Sequence, residues 1–328
     1  MTTRAARWAT RQVGGSGRSV AEVAAELGCD WHTVNDAVIG YGAALLEADA
    51  DRVGVVHALS LDETLMVRLG EYRKQQWSTQ IVDARSGQLL EIVTGRDSTE
   101  PTRWLMDQPV EWRARIGWAV MDMSGPYKTV FDTALPDAEQ VADRFHVIKL
   151  ANQRLDECRR RVQNETLGHR GRKTDPLYRC RKLMLMAEER VTIDGHAKVQ
   201  GLLRAGDPRG EVAYAWHAKE AVRFFYDIPN PVHAETYLAE LAADLQDEAF
   251  PIEVNRLGRT LARWHRQIVN WHQSRASNGP IEGVNNLIKR VKRVAFGFTR
   301  FEHYRVRSLL YAGRPDWSLL DTITPKPH

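Results

Sequence analysis

The stretch Ser277-Asn278-Gly279-Pro280-Ile281-Glu282-Gly283-Val284-Asn285-Asn286-Leu287-Ile288-Lys289-Arg290 constrains the chain more than any other. It reads as a loop that turns abruptly into a helix. Asn278 belongs to the residue types that cap helices, its side-chain oxygen accepting a free first-turn N–H. Pro280 suits the first helical position, where the N–H it lacks would have had no partner. Val284, Ile288 and Val291 recur at helical spacing, so one face is expected to be buried. Glu282 falls in the first turn, where the helix dipole favours a carboxylate, and Lys289, Arg290, Lys292 and Arg293 follow it. A carboxylate one turn ahead of a cationic run suits a metal ligand beside a polyphosphate track. The same pattern also describes a capped amphipathic helix whose charged face is solvated.

Two earlier segments, His57-Ala58-Leu59-Ser60-Leu61-Asp62-Glu63 and Trp118-Ala119-Val120-Met121-Asp122-Met123-Ser124, read as buried strands ending in an aspartate. Between and after them, residues 79–83 and 88–93 suit a hairpin turning at Arg85-Ser86-Gly87. Residues 98–106 suit a helix capped by Ser98, 116–121 a strand, 127–134 a helix and 140–143 a short strand. In an extended strand Glu63 points to the face opposite Asp62, so Asp62 ranks first of the two unless a bulge intervenes.

Residues 19–38 have the pattern of a helix-turn-helix. Ser19 with Glu22 makes a capping box, and Val20, Val23, Ala24 and Leu27 make an apolar face. Gly28 permits the turn, and Asp30 caps a second helix over residues 31–38 in which Val34 packs back. That helix would present His32, Thr33 and Asn35 to base edges or phosphates. From residue 144 to about 274 the chain reads as helical and highly charged, with Arg159-Arg160-Arg161 and Arg170-Gly171-Arg172-Lys173 as exposed basic runs. Pro229-Asn230-Pro231 breaks it, and Trp264 and Trp271 suit core positions. After Arg307 a short tail containing Pro315, Pro325 and Pro327 is expected.

A chain of 328 residues allows two or three domains with a substantial core. The net charge of +4 leans toward an anionic partner. Cys29, Cys158 and Cys180 are far apart and form no Cys-x-x-Cys pair, which argues against a zinc ribbon or a disulfide framework and for a reduced, cytoplasmic setting. No apolar run is long enough to span a membrane. The Arg-rich start, with Arg4, Arg7, Arg11 and Arg18, lacks the apolar stretch of a secretory signal and reads as a basic arm or a clipped helix.

Leu61-Asp62-Glu63, Met121-Asp122, the block from Asp143-Arg144-Phe145-His146-Val147 through Asn152, and Ser277-Asn278-Gly279 with Glu282-Gly283 and Asn285-Asn286 together resemble DDE-type transposases of bacterial insertion sequences, most closely the ISL3 family. The resemblance runs on through Ala295-Phe296-Gly297-Phe298 and spans most of the chain. It implies an α/β fold: an RNase H-like catalytic sheet interrupted by an all-α insertion and preceded by the helix-turn-helix. The expected segments are 1–48 for the helix-turn-helix, 49–147 for the first part of the catalytic core, 148–274 for the insertion, 275–312 for the last core helices and 313–328 for the tail. Family members usually begin with a cysteine-rich zinc-binding segment, which this chain lacks.

The resemblance further implies phosphodiester cleavage and strand transfer with Mg²⁺, Mn²⁺ substituting. Two divalent ions about 3.5–4 Å apart would serve that chemistry, and Mg²⁺ takes oxygen ligands. Asp62, Asp122 and Glu282 are the expected catalytic and metal-binding carboxylates. Asp143, His146 and Asn285 are expected in support, with Asp143 the rival of Asp122. Lys289, Arg290, Lys292 and Arg293 are expected on DNA, interleaved downstream with Phe296, Phe298, Phe301 and Tyr304. The implied partners are double-stranded DNA, as element ends and target, and a second copy of the chain in a homodimer or higher oligomer, in the bacterial cytoplasm at the nucleoid. Two rival readings stand beside this one: a truncated transposase acting as a DNA-binding repressor without catalysis, and a simple RNase H-like nuclease.

Overall fold

The computed structural model describes residues 1–169 and 171–325. The chain divides into two compact units, residues 1–140 with 276–328, and residues 141–275. The expected insertion ran from 148 to 274.

The first unit begins with α1 (Thr3–Thr10), α2 (Val20–Leu27) and α3 (Trp31–Ala48). The local chemistry of the helix-turn-helix is as the sequence reads. Ser19 and Glu22 close a capping box, Gly28 ends α2 in the left-handed region at φ 62°, and the Asp30 carboxylate accepts from the His32 and Thr33 amides. The second helix was expected to stop at Val38, but α3 runs on to Ala48 because Ile39, Tyr41, Ala44 and Leu45 extend its buried face. Of the two readings of the Arg-rich start, a basic arm or a helix, residues 3–10 take the second.

A mixed sheet follows: β1 (Ala58–Leu69), β2 (Lys74–Asp83), β3 (Leu89–Thr94), then α4 (Thr99–Met106), α5 (Val110–Arg113), β4 (Trp118–Met121), α6 (Gly125–Ala134) and β5 (Glu139–Ala142). The sheet order is β3-β2-β1-β4-β5. β1 pairs antiparallel with β2 and parallel with β4, Leu61 lying opposite Met121. Asp62 does not end its strand: β1 continues to Leu69 because residues 62–69 keep pairing with β2, through a bulge between Leu65 and Val67. Ser98 precedes α4 without making a side-chain cap bond.

The second unit is helical: α7 (Arg144–Leu167), α8 (Pro176–Leu185), α9 (Ile193–Gly206), α10 (Glu211–Phe225), α11 (Pro231–Asp244), α12 (Ile252–Arg263), α13 (His265–Val269) and α14 (Trp271–Ser274). Arg159-Arg160-Arg161 is not an exposed basic run. Helical periodicity turns the three side chains in different directions: Arg159 is buried against Asp156 and Gln163, Arg161 meets Glu165, Glu211 and Glu253, and only Arg160 is exposed. Arg170 of the second basic run lies outside the described residues. Trp264 and Trp271 are buried.

The chain returns to the first unit with α15 (Gly279–Val294) and α16 (Phe301–Ala312). Ile281, Val284, Ile288 and Val291 of α15 pack with Leu309 and Ala312 of α16 on Met66, Val82, Leu89 and Ile92 of the sheet. The expected tail after Arg307 is instead the second half of α16, with Ser308, Leu309 and Leu310 buried. Val306, Leu310 and Leu320 form a shared core with Ala6, Ile39, Tyr41 and Leu45, so the two ends of the chain build one body. Pro327 lies outside the described residues.

The Glu91 carboxylate, 7% exposed, accepts two bonds from Arg305, at 2.8 Å from Nε and 2.5 Å from Nη2, and this pair ties α16 to β3. Removing one partner of a buried pair strands the other charge, at a cost of roughly 3–5 kcal/mol. Arg305 keeps 31% of its side chain in solvent, which lowers that cost. Arg305→Ala should therefore lose about 2–3 kcal/mol in urea denaturation. Arg305→Lys should recover only part of it, because an ammonium cannot form the fork. A loss close to zero would mean that Glu91 finds water.

Candidate active site

Parallel pairing of β1 with β4 brings two carboxylates together. In register, Asp62 and Asp122 are the next residues after the Leu61–Met121 pair, so they share one face of the sheet at about one strand spacing, ~4.8 Å. Ser60 and Thr64 lie on that face of β1 too. Glu63 faces the other way: it and Thr79 lie beside the Tyr127 hydroxyl of α6, whose pKa is raised by burial and then by the Glu63 charge.

α15 covers the Asp62 face with a polar row of period seven. Asn278 donates through Nδ2 to Asp122 at 2.7 Å and accepts from the Ser60 hydroxyl at 2.7 Å. Asn285 donates to Asp62 Oδ2 at 2.6 Å. Lys292 donates to the Leu65 carbonyl at 2.5 Å, where the bulge interrupts the ladder. Residues seven apart complete nearly two turns and share a helix face. The expectation that Asn278 caps α15 through its side chain is corrected: it makes no cap bond, its amide being held between the two strands.

Glu282 lies four residues after Asn278 and three before Asn285, so it flanks this row. Its side chain is exposed, and among the described residues no three His, Cys, Asp or Glu side chains are gathered closely enough to hold an ion. The site thus consists of two aspartates already positioned by amides, with Glu282 standing out beside them. Asn285 Oδ1 is buried without a hydrogen-bond partner, next to Asp62. Two carboxylates and an unsatisfied amide oxygen are hard donors, which fits Mg²⁺ or its hydration water and does not suit a thiophilic metal. Cys158 and Cys180 play no part: burial pushes the Cys180 thiol up to about 11 and the Cys158 thiol higher still.

Asp143 is buried at the start of α7, in the second unit. Its carboxylate accepts from the His146 amide at 3.3 Å and pairs with His146 Nδ1 at 3.1 Å. This is a capping geometry, and it fixes the orientation of the imidazole.

The expected DNA-facing residues divide. Lys289, Arg290 and Arg293 turn to the outer side of α15, whereas Lys292 is half-buried with its ammonium on β1, its pKa lowered by that burial and by Lys289. His32 is exposed, the Thr33 hydroxyl is taken up by Asp30, and Asn35 is 4% exposed. His32 and Asn35 line one cavity of about 280 Å³ with Phe298, Arg300, His303 and Arg307, so the helix-turn-helix and the segment after α15 meet. Of the aromatics in that segment, Phe298 and Tyr304 are core, and Phe301 is partly so. Phe296 is 95% exposed in a left-handed conformation, φ 55°.

The signal for Asn278 and Ser60, which the sequence did not single out for the site, is the row 278, 285, 292. Its polar residues alternate with Ile281 and Ile288 on a stripe that otherwise reads as core.

A family model described as "Transposase", that of the ISL3 DDE transposases, matches residues 59–308, and one described as "Helix-turn-helix domain of transposase family ISL3" matches residues 1–41. The chain belongs to the ISL3 family of DDE transposases. It is 26% identical over 289 residues to the transposase for insertion sequence element IS1557 of Mycobacterium tuberculosis, covering 82% of this chain and 62% of that protein. It is 25% identical over 289 residues to the transposase for element IS1001 of Bordetella parapertussis, covering 85% and 66%. The chain thus spans less than two thirds of the length of these relatives. Both Asp62 and Asp122, and the whole of α15, fall inside the matched transposase region.

Asn278→Ala removes both bonds of the amide and leaves the buried Ser60 hydroxyl without its acceptor. The cost should be about 1–3 kcal/mol. In a double-mutant cycle with Ser60→Ala, read by chemical denaturation, the coupling should be about 0.5 kcal/mol or more. Strict additivity would show that Asn278 does not bridge the strands.

Proposed function

We propose that this ISL3-family chain is a DNA transposase that binds the inverted repeats at the ends of its element, cuts the strand there and joins the freed end to target DNA. The observation that carries the reading is the aspartate pair on adjacent parallel strands, each aspartate oriented by an asparagine of α15 with Glu282 on the flank between. Two aspartates on adjacent parallel strands, with a third carboxylate from a distant segment on the helix that flanks them, support an RNase H-like catalytic centre in which the three would converge on an ion.

Asn278 and Asn285 hold Asp122 and Asp62 in fixed rotamers. An amide donor orients a carboxylate without cancelling its charge. Asp62, Asp122 and Glu282 would hold Mg²⁺, or Mn²⁺ in its place, which supplies an activated water and neutralises charge at phosphorus. Asp143 acts through the start of α7 and through His146, and we assign the second catalytic carboxylate to Asp122. Lys289, Arg290 and Arg293 on the outer face of α15 neutralise backbone phosphates. Strand hydrolysis at the element end leaves a 3′ hydroxyl. That oxygen then attacks a target phosphodiester, one P–O bond forming as another breaks, with no protein–DNA bond. Two ends require two active sites, so the working form is a dimer or larger.

Asp62→Asn keeps the size of the side chain and removes its charge. Cleavage of an end-containing duplex in Mg²⁺ should fall by at least about 10³-fold, given that charge-stabilising groups in active sites contribute on that order, while affinity for the duplex stays within about twofold. Undiminished cleavage would remove Asp62 from the reaction. Wild-type protein that binds end DNA and never cuts it would favour the repressor reading.

Mg²⁺ that binds only the folded chain raises its stability by mass action, about 2.7 kcal/mol at a hundred times the dissociation constant. The rise in melting temperature should disappear in Asp122→Ala and persist in Asp143→Ala. The reverse outcome would exchange the roles of the two aspartates.

A further inference from the structure

The helical unit carries a concave cationic surface that the reading above does not use. Helix α12 has two faces. Val254, Leu257, Gly258 and Leu261 are buried, at i, i+3, i+4 and i+7. Arg256, Arg259, Thr260 and Arg263 repeat the same spacing on the other side, and the three arginines are exposed. A Cβ at Gly258 would stand 2.9 Å from Leu245 Cβ and 3.0 Å from the Ala242 carbonyl, so α11 lies close against α12 there. That approach brings Gln246 to the edge of the arginine row, and α7 contributes Arg154. Together these six residues line a cavity of about 550 Å³.

Four guanidiniums and no carboxylate line it. Arg154 is paired with Glu157 at 2.6 Å, but among the described residues Arg256, Arg259 and Arg263 have no ion-pair partner. In the same unit, Arg159, Arg161 and Arg223 each face at least one carboxylate. Guanidinium does not deprotonate in proteins, so the row keeps its charge at every working pH. Glu253, one turn before Arg256, offsets part of it without forming an ion pair with the row, and a bound anion would relieve the rest. Guanidinium binds phosphate through two parallel N–H bonds. The Gln246 amide, which gives one N–H to the Ala242 carbonyl, keeps its second as a neutral donor, while the Thr260 hydroxyl is turned back onto the Arg256 carbonyl and lines the cavity without donating into it.

From Arg256 to Arg263 the row advances about 10 Å along the helix. That exceeds a single phosphate and matches about three successive phosphates of one strand, which step about 3.4 Å each along a duplex axis. No aromatic side chain lines the cavity, so no base is stacked there, and contact limited to the backbone carries no sequence information.

We propose that Arg256, Arg259, Thr260 and Arg263 of α12, with Arg154 and Gln246, form a phosphate-backbone site by which the helical unit holds DNA irrespective of base sequence. The proposal rests on the reading that the chain acts on DNA, and it adds a second, sequence-blind contact in a unit separate from the helix-turn-helix and the aspartate pair.

The test uses the full chain with Arg256, Arg259 and Arg263 all changed to Gln, substitutions on an exposed face that leave the buried stripe of α12 intact. Binding to a duplex of arbitrary sequence is followed by fluorescence anisotropy over a salt series. The expected result is a slope of log K against log salt shallower by about 2–3, at roughly 0.9 for each phosphate no longer neutralised, and at least about tenfold weaker binding at low salt. The triple Arg→Lys variant should restore the slope but not the full affinity, because an ammonium is a point charge. Unchanged slope and affinity in the Gln variant, with wild-type chain binding and cutting end DNA, would overturn this proposal alone. Wild-type chain that binds no DNA would overturn it together with the transposase reading. Binding of inorganic phosphate that the Gln substitutions abolish while DNA affinity is unmoved would make this a small-anion site and also overturn it.

Discussion

Asn278 holds α15 to the sheet at the point where two strands meet. Its amide has one donor and one acceptor end and uses both, on Asp122 of the β4 end and on Ser60 of β1. A buried group with both capabilities fixes distance and direction at once, because leaving either end unpaired costs about 1–3 kcal/mol. Asn285 and Lys292 repeat the attachment further along β1, and Ile281, Val284 and Ile288 fill the space between with apolar contact. Hydrophobic burial sets how firmly the helix sits, and the three polar attachments share with it in setting the register along β1. Sliding α15 by one residue would break all three attachments and would also put Glu282, Asn285, Lys289 and Lys292 where Ile281, Val284, Ile288 and Val291 now pack, so the polar and apolar contacts specify the same register. The position of Glu282 beside the aspartates therefore follows from the register that Asn278, Asn285 and Lys292 impose together with the apolar stripe.

Much of this was legible in the sequence. The helix-turn-helix announced itself through Ser19, Glu22, Gly28 and Asp30, since capping and turn chemistry act within four residues. Both aspartate-bearing strands were legible as short apolar runs, but the length of β1 was not, because residues 62–69 pair with β2 and alternate too little to display a buried face. The role of Asn278 was misread for a related reason. Local propensity makes an asparagine before a helix a cap, and only the tertiary partners Ser60 and Asp122, 218 and 156 residues away, redirect it. Lys292 shows the same limit: a lysine in a cationic run reads as solvent-facing, and the bulge carbonyl that claims it exists only once β1 and β2 have paired.

Charge gives the clearest separation between sequence order and spatial order. Arg159, Arg160 and Arg161 are consecutive, yet on a helix they project about 100° apart: Arg159 and Arg160 share Asp156, while Arg161 meets Glu165, Glu211 and Glu253. Arg256, Arg259 and Arg263 are interrupted by apolar and neutral residues and do not stand out along the chain. At spacings of three and four they form one continuous stripe with no acid on it. A run of like charges in a helical segment is thus a weak guide to a binding surface, because rotation distributes it among partners. The informative pattern is a cationic set that shares a face with the i, i+3, i+7 period and whose neighbours on adjoining helices, here Arg154 and Gln246, supply no counter-charge. In such a set the repulsion that folding brings together is answered only in part within the chain, here by Glu253 near Arg256 and Glu157 on Arg154. The fold keeps it because the apolar stripe Val254, Leu257 and Leu261 on the opposite side of α12 stabilises the helix independently, leaving the outer face to be selected for what it binds.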